Sequence, residues 1–248
     1  MPSGVYALHD PRDGTPLGTE HFSCAPGPAG WRYTADRRTP SGEPAGAVDL
    51  TIDALGRPVR LEVRTTAWWV RGGIDAGGLR WVRGDTGGHD AREGHVPGAL
   101  AFTGTSPAHL VALARLAVGA GVRAGAGPGI PADTVPGAPA RRFRLVELTE
   151  PVLGPLTVDR LLRLEAGETH RAPDDPDTAL TVHRWRLVDP ADGEGRDIHL
   201  GGDVVLAAPG VELEELDGPP GVFPPPPGSG GGPGGEDGDG DGYVDGPG

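Results

Sequence analysis

The sequence contains no lysine, asparagine or glutamine, and it has a single cysteine, Cys24. One cysteine excludes a disulfide within the chain. All 22 basic residues are arginines, a bias that the codon usage of a GC-rich genome produces, so we draw no function from it. The 248 residues make up roughly one or two domains, and a β domain of this size builds a core without disulfides.

Long hydrophobic runs are also missing. No stretch of about 18 apolar residues occurs, so the sequence predicts no membrane span. The first residues lack the basic region, apolar run and cleavage site of a secretory signal, and we therefore expect a soluble, cytoplasmic protein. The formal net charge of −13 argues against a nucleic acid partner and against electrostatic docking on anionic lipid.

Two stretches rich in glycine and proline divide the chain. Residues 119–140 contain six Gly and four Pro, which predicts a flexible loop without helix or strand. In residues 218–248, Gly and Pro make up 21 of 31 positions, which predicts a disordered acidic tail. The expected organisation is one antiparallel β domain over residues 1–217, interrupted by the loop, followed by the tail.

Alternation of apolar and polar residues predicts two hairpins in that domain. In the first hairpin, a turn at Leu55-Gly56 places Leu50 opposite Leu61 and all apolar side chains on one face. That register sets Asp49 opposite Glu62, which is unfavourable, whereas a shift by two residues pairs Asp49 with an arginine but needs a longer loop. The sequence leaves both registers open.

The second hairpin turns at residues 189–194 and pairs Trp185 with Ile198 and Arg186 with Asp197. About twelve strands are predicted in all, joined mostly by short turns, which is typical of a meander. One helix is predicted, with Ser106 as its N-cap, Pro107 at its first position and Gly119 at its end. The fold class is therefore mainly β, an antiparallel meander forming a barrel or curved half-barrel with one short helix as a plug or lid.

The five tryptophans all lie on predicted strands, and arginines recur on the same strands. An indole ring suits the wall of an apolar or sugar-binding pocket, and a guanidinium group can hold an anionic head group. The purely structural alternatives are core packing for the tryptophans and a solvated outer face for the arginines. The candidate ligand-binding residues are Trp68, Trp69, Trp81, Trp185, Arg71 and Arg83.

No motif predicts catalysis, a metal site or a cofactor. The eight histidines show no metal-binding spacing, and Cys24 reads as a small buried apolar residue. Ser106 could pair with His109 or His95 as a nucleophile, but its helix-capping role explains it, and no catalytic residue is assigned. We therefore expect a protein that is not an enzyme.

The tail contains one partial motif match. Asp237, Asp239 and Asp241 followed by Gly242 fit the first half of an EF-hand loop, whose alternating oxygens suit Ca²⁺. Position twelve is Gly248, where a bidentate Glu is needed, so we expect at best a weak divalent-ion site there.

The pattern of residues 46–64 and of residues 185–216 resembles the strand–turn–strand units of half-barrel carriers. We mean the lipoprotein-carrier and mycobacterial-lipoprotein type of fold and the actinobacterial putative glycolipid-binding proteins. The resemblance covers about a third of the chain and implies a lipid-binding half-barrel, without assigning a function to any residue.

Together these observations favour non-enzymatic binding of an apolar or amphipathic small ligand, lipid-like or glycolipid-like, inside the barrel. A second hypothesis is a β scaffold that binds a protein partner through the proline-rich segment 223–227. An enzyme of unknown reaction is the third.

Overall fold

The computed structural model of the chain describes residues 1–27, 30–123, 136, 139–172 and 175–221. These residues form fifteen strands and one helix: β1 (Ser3–His9), β2 (Pro16–Gly27), β3 (Gly30–Arg38), β4 (Pro44–Asp53), β5 (Pro58–Thr65), β6 (Trp68–Ile74), β7 (Gly78–Asp85), β8 (Ala91–Pro97), β9 (Ala101–Thr103), α1 (Pro107–Arg123), β10 (Arg141–Thr149), β11 (Gly154–Ala172), β12 (Asp175–Val188), β13 (Gly195–Gly201), β14 (Val204–Ala208) and β15 (Val211–Asp217).

All fifteen strands belong to one sheet. Its order is β8-β7-β6-β5-β4-β3-β2-β1-β15-β14-β13-β12-β11-β10-β9, so β8 and β9 are its two edges. Each strand pairs antiparallel with its neighbour except β9 and β10, which are parallel. The N-terminal strands form one half of the sheet and the C-terminal strands the other, joined where β1 pairs with β15. The predicted antiparallel meander is confirmed.

The sheet is not closed, but it curls until its two edges come into contact. A Cβ at Gly72 on β6 would lie 2.6 Å from Cζ of Phe102 on β9, so the phenyl ring rests directly on the Gly72 backbone. The result is a barrel-like shape with an unpaired seam between β8 and β9.

Helix α1 lies inside the curl. It is buried on nearly every side, with Ala108, Val111, Leu113 and Leu116 all at most 4% exposed. A helix that is apolar all round is expected only where it is enclosed by other elements. The predicted role of the helix as a plug therefore matches its position.

The beginning of α1 was predicted correctly and its end was not. Ser106 caps the helix, because its Oγ accepts from the N–H of Ala108 at 3.3 Å. The helix continues past Gly119 to Arg123, into the stretch that was predicted to lack any element. Gly119 instead allows close packing, since a Cβ there would lie 2.6 Å from the carbonyl oxygen of Leu55. The remainder of the predicted loop falls mostly outside the described residues.

The first hairpin adopts the register with Leu50 opposite Leu61. A bulge after Thr51 shifts the last pair, so that Ile52 faces Pro58 and Val59 is 57% exposed. Asp49 and Glu62 do face each other, and surrounding arginines offset their repulsion. The two-residue shift is thereby ruled out.

The second hairpin has the predicted pairs, Trp185 with Ile198 and Arg186 with Asp197. The prediction of about twelve strands was too low, because β8 and the three-residue strand β9 were missed. Five of the seven β8 residues are exposed, so this edge strand shows no alternation of apolar and polar positions.

Among the described residues, no helix is long and apolar enough to cross a membrane. The tail motif and the segment 223–227 lie outside the described residues.

Candidate functional site

Helix α1 runs along the inside of the barrel-like sheet, from one open end of the barrel to the other. Each of these two ends contains a buried carboxylate. Near the N-terminus of α1 lies a group of seven polar side chains from four separate segments. We call it the Glu20 cluster: Glu20, Tyr33, Arg37, Thr105, Ser106, His109 and Glu150.

Glu20 is the centre of this cluster and has no solvent exposure. Its Oε1 accepts from the Tyr33 hydroxyl at 2.6 Å and from the Ser106 hydroxyl at 2.7 Å. Its Oε2 accepts from Nε of Arg37 at 2.9 Å. Because a buried carboxyl group is costly without such partners, these contacts stabilise Glu20 inside the sheet. Proximity of Glu20 to the α1 N-terminus adds to this stabilisation.

Arg37 connects the buried carboxylate to the surface. Its Nη2 donates to Oγ1 of Thr105 at 2.5 Å, and its Nη1 donates to Oε1 of Glu150, which also accepts from the Thr105 hydroxyl. The Arg37 side chain is 8% exposed, whereas that of Glu150 is 33% exposed. The formal charges of Glu20, Arg37 and Glu150 sum to −1.

His109 is the unusual member of the cluster. It is 2% exposed, and neither ring nitrogen has a hydrogen-bond partner among the described residues. Burial and the positive charge of Arg37 lower its pKa to about 4, although Glu150 acts in the opposite direction. The imidazole is therefore neutral at pH 7, with one donor and one acceptor unused. Buried polar groups of this kind are ordinarily paired with protein, water or ligand.

Two of the sequence-predicted residues lie beside this end of the sheet. The guanidinium of Arg83 stacks on the Trp68 ring at 3.6 Å from its centroid, and its Nε donates to the Val152 carbonyl at 2.7 Å. The Thr65 hydroxyl donates to the carbonyl of Pro151, the residue after Glu150. Trp68 and Arg83 thus pack against the turn that carries Glu150.

The six predicted ligand-binding residues do not converge on one pocket. Strand pairing places Trp68, Trp81, Arg83 and Trp185 on the inner face of the sheet, and Trp69 and Arg71 on the outer face. Trp185 is 4% exposed in the core, on a strand far from β6 and β7. Arg71 is exposed and pairs with Glu62. Their role in ligand binding stays a prediction.

An apolar strip follows the seam on the inner face. It consists of Trp68, Trp81 and Val96, which are partly buried and pack against the core. Trp81 lies flat on Gly94, where a Cβ would be 2.2 Å from its ring, and its indole N–H is buried without a partner. The strip runs from the Glu20 cluster towards the other end of the barrel.

That other end holds a second buried carboxylate, Asp203, which is 1% exposed. Its Oδ2 accepts from the Trp31 indole at 3.1 Å and lies 3.6 Å from Sγ of Cys24, while Oδ1 accepts from the N–H of Gly221 at 2.5 Å. The Arg115 guanidinium lies 5.2 Å from the Trp31 ring centroid. We call Cys24, Trp31, Arg115, Asp203 and Gly221 the Asp203 cluster.

Electrostatics at the second end keep the thiol protonated. Burial and the charge of Asp203 raise the pKa of Cys24 to about 12. Burial lowers the pKa of Arg115 to about 10, which leaves it charged at pH 7. The helix spans both clusters, with Ser106 in one and Arg115 in the other.

Most of the Glu20 cluster was missed in the sequence, although a signal was present. Glu20 has the same parity as Phe22 and Cys24 on β2, and Arg37 has the parity of Tyr33 and Ala35 on β3. A charged residue at a core position of an alternating strand indicates a buried polar group. Among the described residues, no three His, Cys, Asp or Glu side chains converge as a metal site requires.

The described geometry defines a barrel-like class of protein, an open and strongly curled antiparallel sheet around one helix. No family model matches the chain, and no curated protein matches its sequence. Among solved structures, a β-barrel-like protein of the domain of unknown function DUF1849 from Brucella abortus is similar, with 13% identity and a TM-score of 0.47. That match covers 87% of this chain and 96% of the other.

A DUF1089 family protein from Pseudomonas aeruginosa is similar at 14% identity with a TM-score of 0.38, over 85% of this chain and 91% of that one. The fold class of the present chain rests on its own strand pairing.

Proposed function

We propose that the protein is a non-enzymatic binder of a small amphipathic ligand, lipid-like or glycolipid-like, at the first end of the curled sheet. The polar head contacts the Glu20 cluster, and the apolar part lies along the strip of Trp68, Trp81 and Val96. The observation that carries the proposal is His109, a fully enclosed imidazole with both nitrogens unpartnered. An unsatisfied buried polar group costs about 1–3 kcal/mol, which a bound head group would recover.

The charge of the site selects the kind of head. Glu20 and Glu150 outweigh Arg37, so a phosphate or carboxylate head is repelled, whereas a hydroxyl-bearing head can donate to Glu150 and to His109. The preference differs from the anionic head expected from Arg71 and Arg83. Arg83 is committed to Trp68 and Val152, and Arg71 faces outwards.

The exposure of side chains at this end of the barrel supports its assignment as the binding site. Thr105 is exposed and Glu150 is partly exposed, so a polar head group can reach these two side chains from solvent, whereas contact with His109, which is 2% exposed, requires this end to open locally. The apolar part needs only the open seam, where the sheet has no strand pairing between β8 and β9.

The first test is extraction. The full-length protein is purified, denatured, and the released small molecules are identified by mass spectrometry. We expect a stoichiometric amphiphile with a hydroxylated head.

A second test compares two head groups attached to the same twelve-carbon alkyl chain. The probes are dodecyl maltoside and dodecyl phosphate, each below its critical micelle concentration. Calorimetry should show maltoside binding at least about tenfold tighter, equivalent to about 1.4 kcal/mol. Trp81→Leu should weaken it, and Trp69→Leu, on the outer face of the neighbouring strand, should leave it unchanged. Equal affinity for both probes, together with an empty extract, would refute the proposal.

A further inference from the structure

The outer face of β3–β6 carries a local excess of positive charge. We call it the arginine patch: Arg32, Arg60, Arg64 and Arg71, whose side chains are 55–60% exposed. Two carboxylates lie between them, Asp49 and Glu62, and these are 21% and 12% exposed. The exposed carboxylates of Asp36 on β3 and Glu93 on β8 border the patch on the same face. Within the patch itself, four guanidinium groups face two carboxylates, on a chain whose net charge is −13.

The two carboxylates lie beneath the arginines. Nε and Nη2 of Arg32 donate to the two oxygens of Asp49 at 3.0 and 2.9 Å. Glu62 accepts from Arg64 and, at 3.3 Å, from Arg71. Burial works to raise the pKa of Glu62, but the hydrogen bonds from Arg64 and Arg71 outweigh it and hold that pKa below its usual value. Arg60 also lies within 3.6 Å of Asp49 and 3.5 Å of Glu62.

Beside the patch the surface is hollowed. Two depressions of about 350 and 480 Å³ adjoin Arg71, where Gly72 and Gly73 carry no side chain; the second is also lined by Arg80 and by the carboxylate of Glu93. Trp69 borders the patch, with the Arg71 guanidinium 5.4 Å from its ring centroid. A narrow extended segment could lie in such a trough with its carboxylates on the arginines.

The chain itself supplies a segment of matching charge. Residues 236–245 contain five carboxylates, Glu236, Asp237, Asp239, Asp241 and Asp245, and no basic residue. The described chain ends at Gly221, whose N–H donates to Asp203. Asp203 in turn accepts from the Trp31 indole, and Trp31 immediately precedes Arg32 of the patch. Gly221, the last described residue, thus lies near β3, the strand that carries Arg32.

The connecting length is sufficient. Residues 222–235 can span at most about 46 Å when extended, and a Gly-rich chain of that length has an average span of about 20 Å. A tethered segment at this distance has an effective concentration of about a millimolar, so even a weak ionic contact is populated.

We propose that the acidic segment 236–245 folds back onto the arginine patch of its own chain. The contact is electrostatic and intramolecular, and it covers an outer surface that the ligand site at the Glu20 cluster does not use. Screening weakens it as salt rises, because the arginines are solvent-exposed.

The test uses the full-length protein with a spin label on Gly240→Cys. The native thiol, Cys24, is 1% exposed, so labelling under native conditions is selective, and the unsubstituted protein serves as the labelling control. We expect paramagnetic loss of backbone amide signals at residues 60–64 and 69–71, which recovers in 0.5 M NaCl. Mixing labelled protein with isotope-enriched unlabelled protein should show no loss.

Two variants sharpen the result. Arg60→Gln/Arg64→Gln/Arg71→Gln should abolish the effect, and Arg142→Gln/Arg144→Gln on β10, also exposed and paired with a carboxylate, should not. Neutralising all five tail carboxylates to amides leaves the domain unaltered and should abolish the effect equally. Signal loss at residues 142–144, loss spread evenly over the surface, or loss seen only between molecules would overturn the proposal.

Discussion

The two ends of the curled sheet bury one carboxylate each but stabilise it differently. At the first end, Glu20 is held by the charged Arg37 and two hydroxyls. At the second end, Asp203 accepts hydrogen bonds from neutral donors, the Trp31 indole and the Gly221 amide, and the charged Arg115 lies in the same cluster. The first end also has a partly exposed carboxylate, Glu150, and the unpartnered His109, whereas the second end is covered by the segment that leads to Gly221. We infer that the first end is built for binding and the second for sealing the barrel.

The largest effect is expected from removing the cation at the first end. Arg37→Met leaves Glu20 buried without a counter-charge, and breaking a buried pair in this way costs about 3–5 kcal/mol. Urea unfolding followed by tryptophan fluorescence measures it. The double variant Glu20→Gln/Arg37→Met should recover part of the loss. A cost below about 1 kcal/mol for Arg37→Met would show that the pair is not an essential element of this end.

The second effect is a pH dependence of stability that arises at the first end. The pKa of His109 is about 4 in the folded protein against its ordinary value of 6.5. The unfolded chain therefore binds more protons between these values, and stability falls as pH is lowered from about 6.5 to about 4, by about 3 kcal/mol.

Unfolding free energies at pH 7 and pH 4.5 measure this loss. His183, whose pKa burial also lowers, contributes in the same direction, so the difference between wild type and His109→Leu isolates the His109 part. An identical pH slope in the variant would contradict the assignment.

Removing the carboxylate at the second end should cost less. Asp203→Ala deletes the acceptor for the Trp31 indole and for the Gly221 amide, and it removes a negative charge that favours the charged form of the nearby Arg115. Loss of two such hydrogen bonds costs about 2 kcal/mol. The same urea titration measures it, and a loss as large as that of Arg37→Met would remove the distinction between the two ends.

The smallest effect concerns the reactivity of Cys24. Its thiol is 1% exposed and has a pKa raised to about 12 by burial and by Asp203. We expect no reaction with a thiol reagent at pH 8 until the chain unfolds, because the thiolate is the reactive form. Rapid modification of the native protein would show that the second end opens readily. Asp203→Ala should accelerate the reaction if that residue seals this end.

The sequence contained most of the fold but little of the site. Alternation along residues 181–200 was enough to pair Trp185 with Ile198, because a one-residue slip would bury the charged face. Ser106 and Pro107 marked the start of α1 by their capping chemistry. The edge strand β8 was not predicted, because both of its faces are largely solvated and it lacks an alternating pattern.

The Glu20 cluster could not be assembled in advance because its members come from β2, β3, α1 and the β10–β11 turn. Glu20 and Arg37 occupy inward-facing positions of the alternating pattern, which indicated buried charge on neighbouring strands. The position of Glu150, however, depends on how the two edges of the sheet approach each other. The tryptophans were placed on strands correctly. Which face each one occupies required the register of β6 and β7.

The most direct test of the account is the variant His109→Leu. An apolar side chain of similar size replaces a buried imidazole without partners, so we predict that stability at pH 7 is unchanged or higher, while binding of dodecyl maltoside is lost. Loss of stability by about 2 kcal/mol or more, with maltoside binding intact, would show that His109 is a structural residue and would contradict the assignment of the binding site to this end.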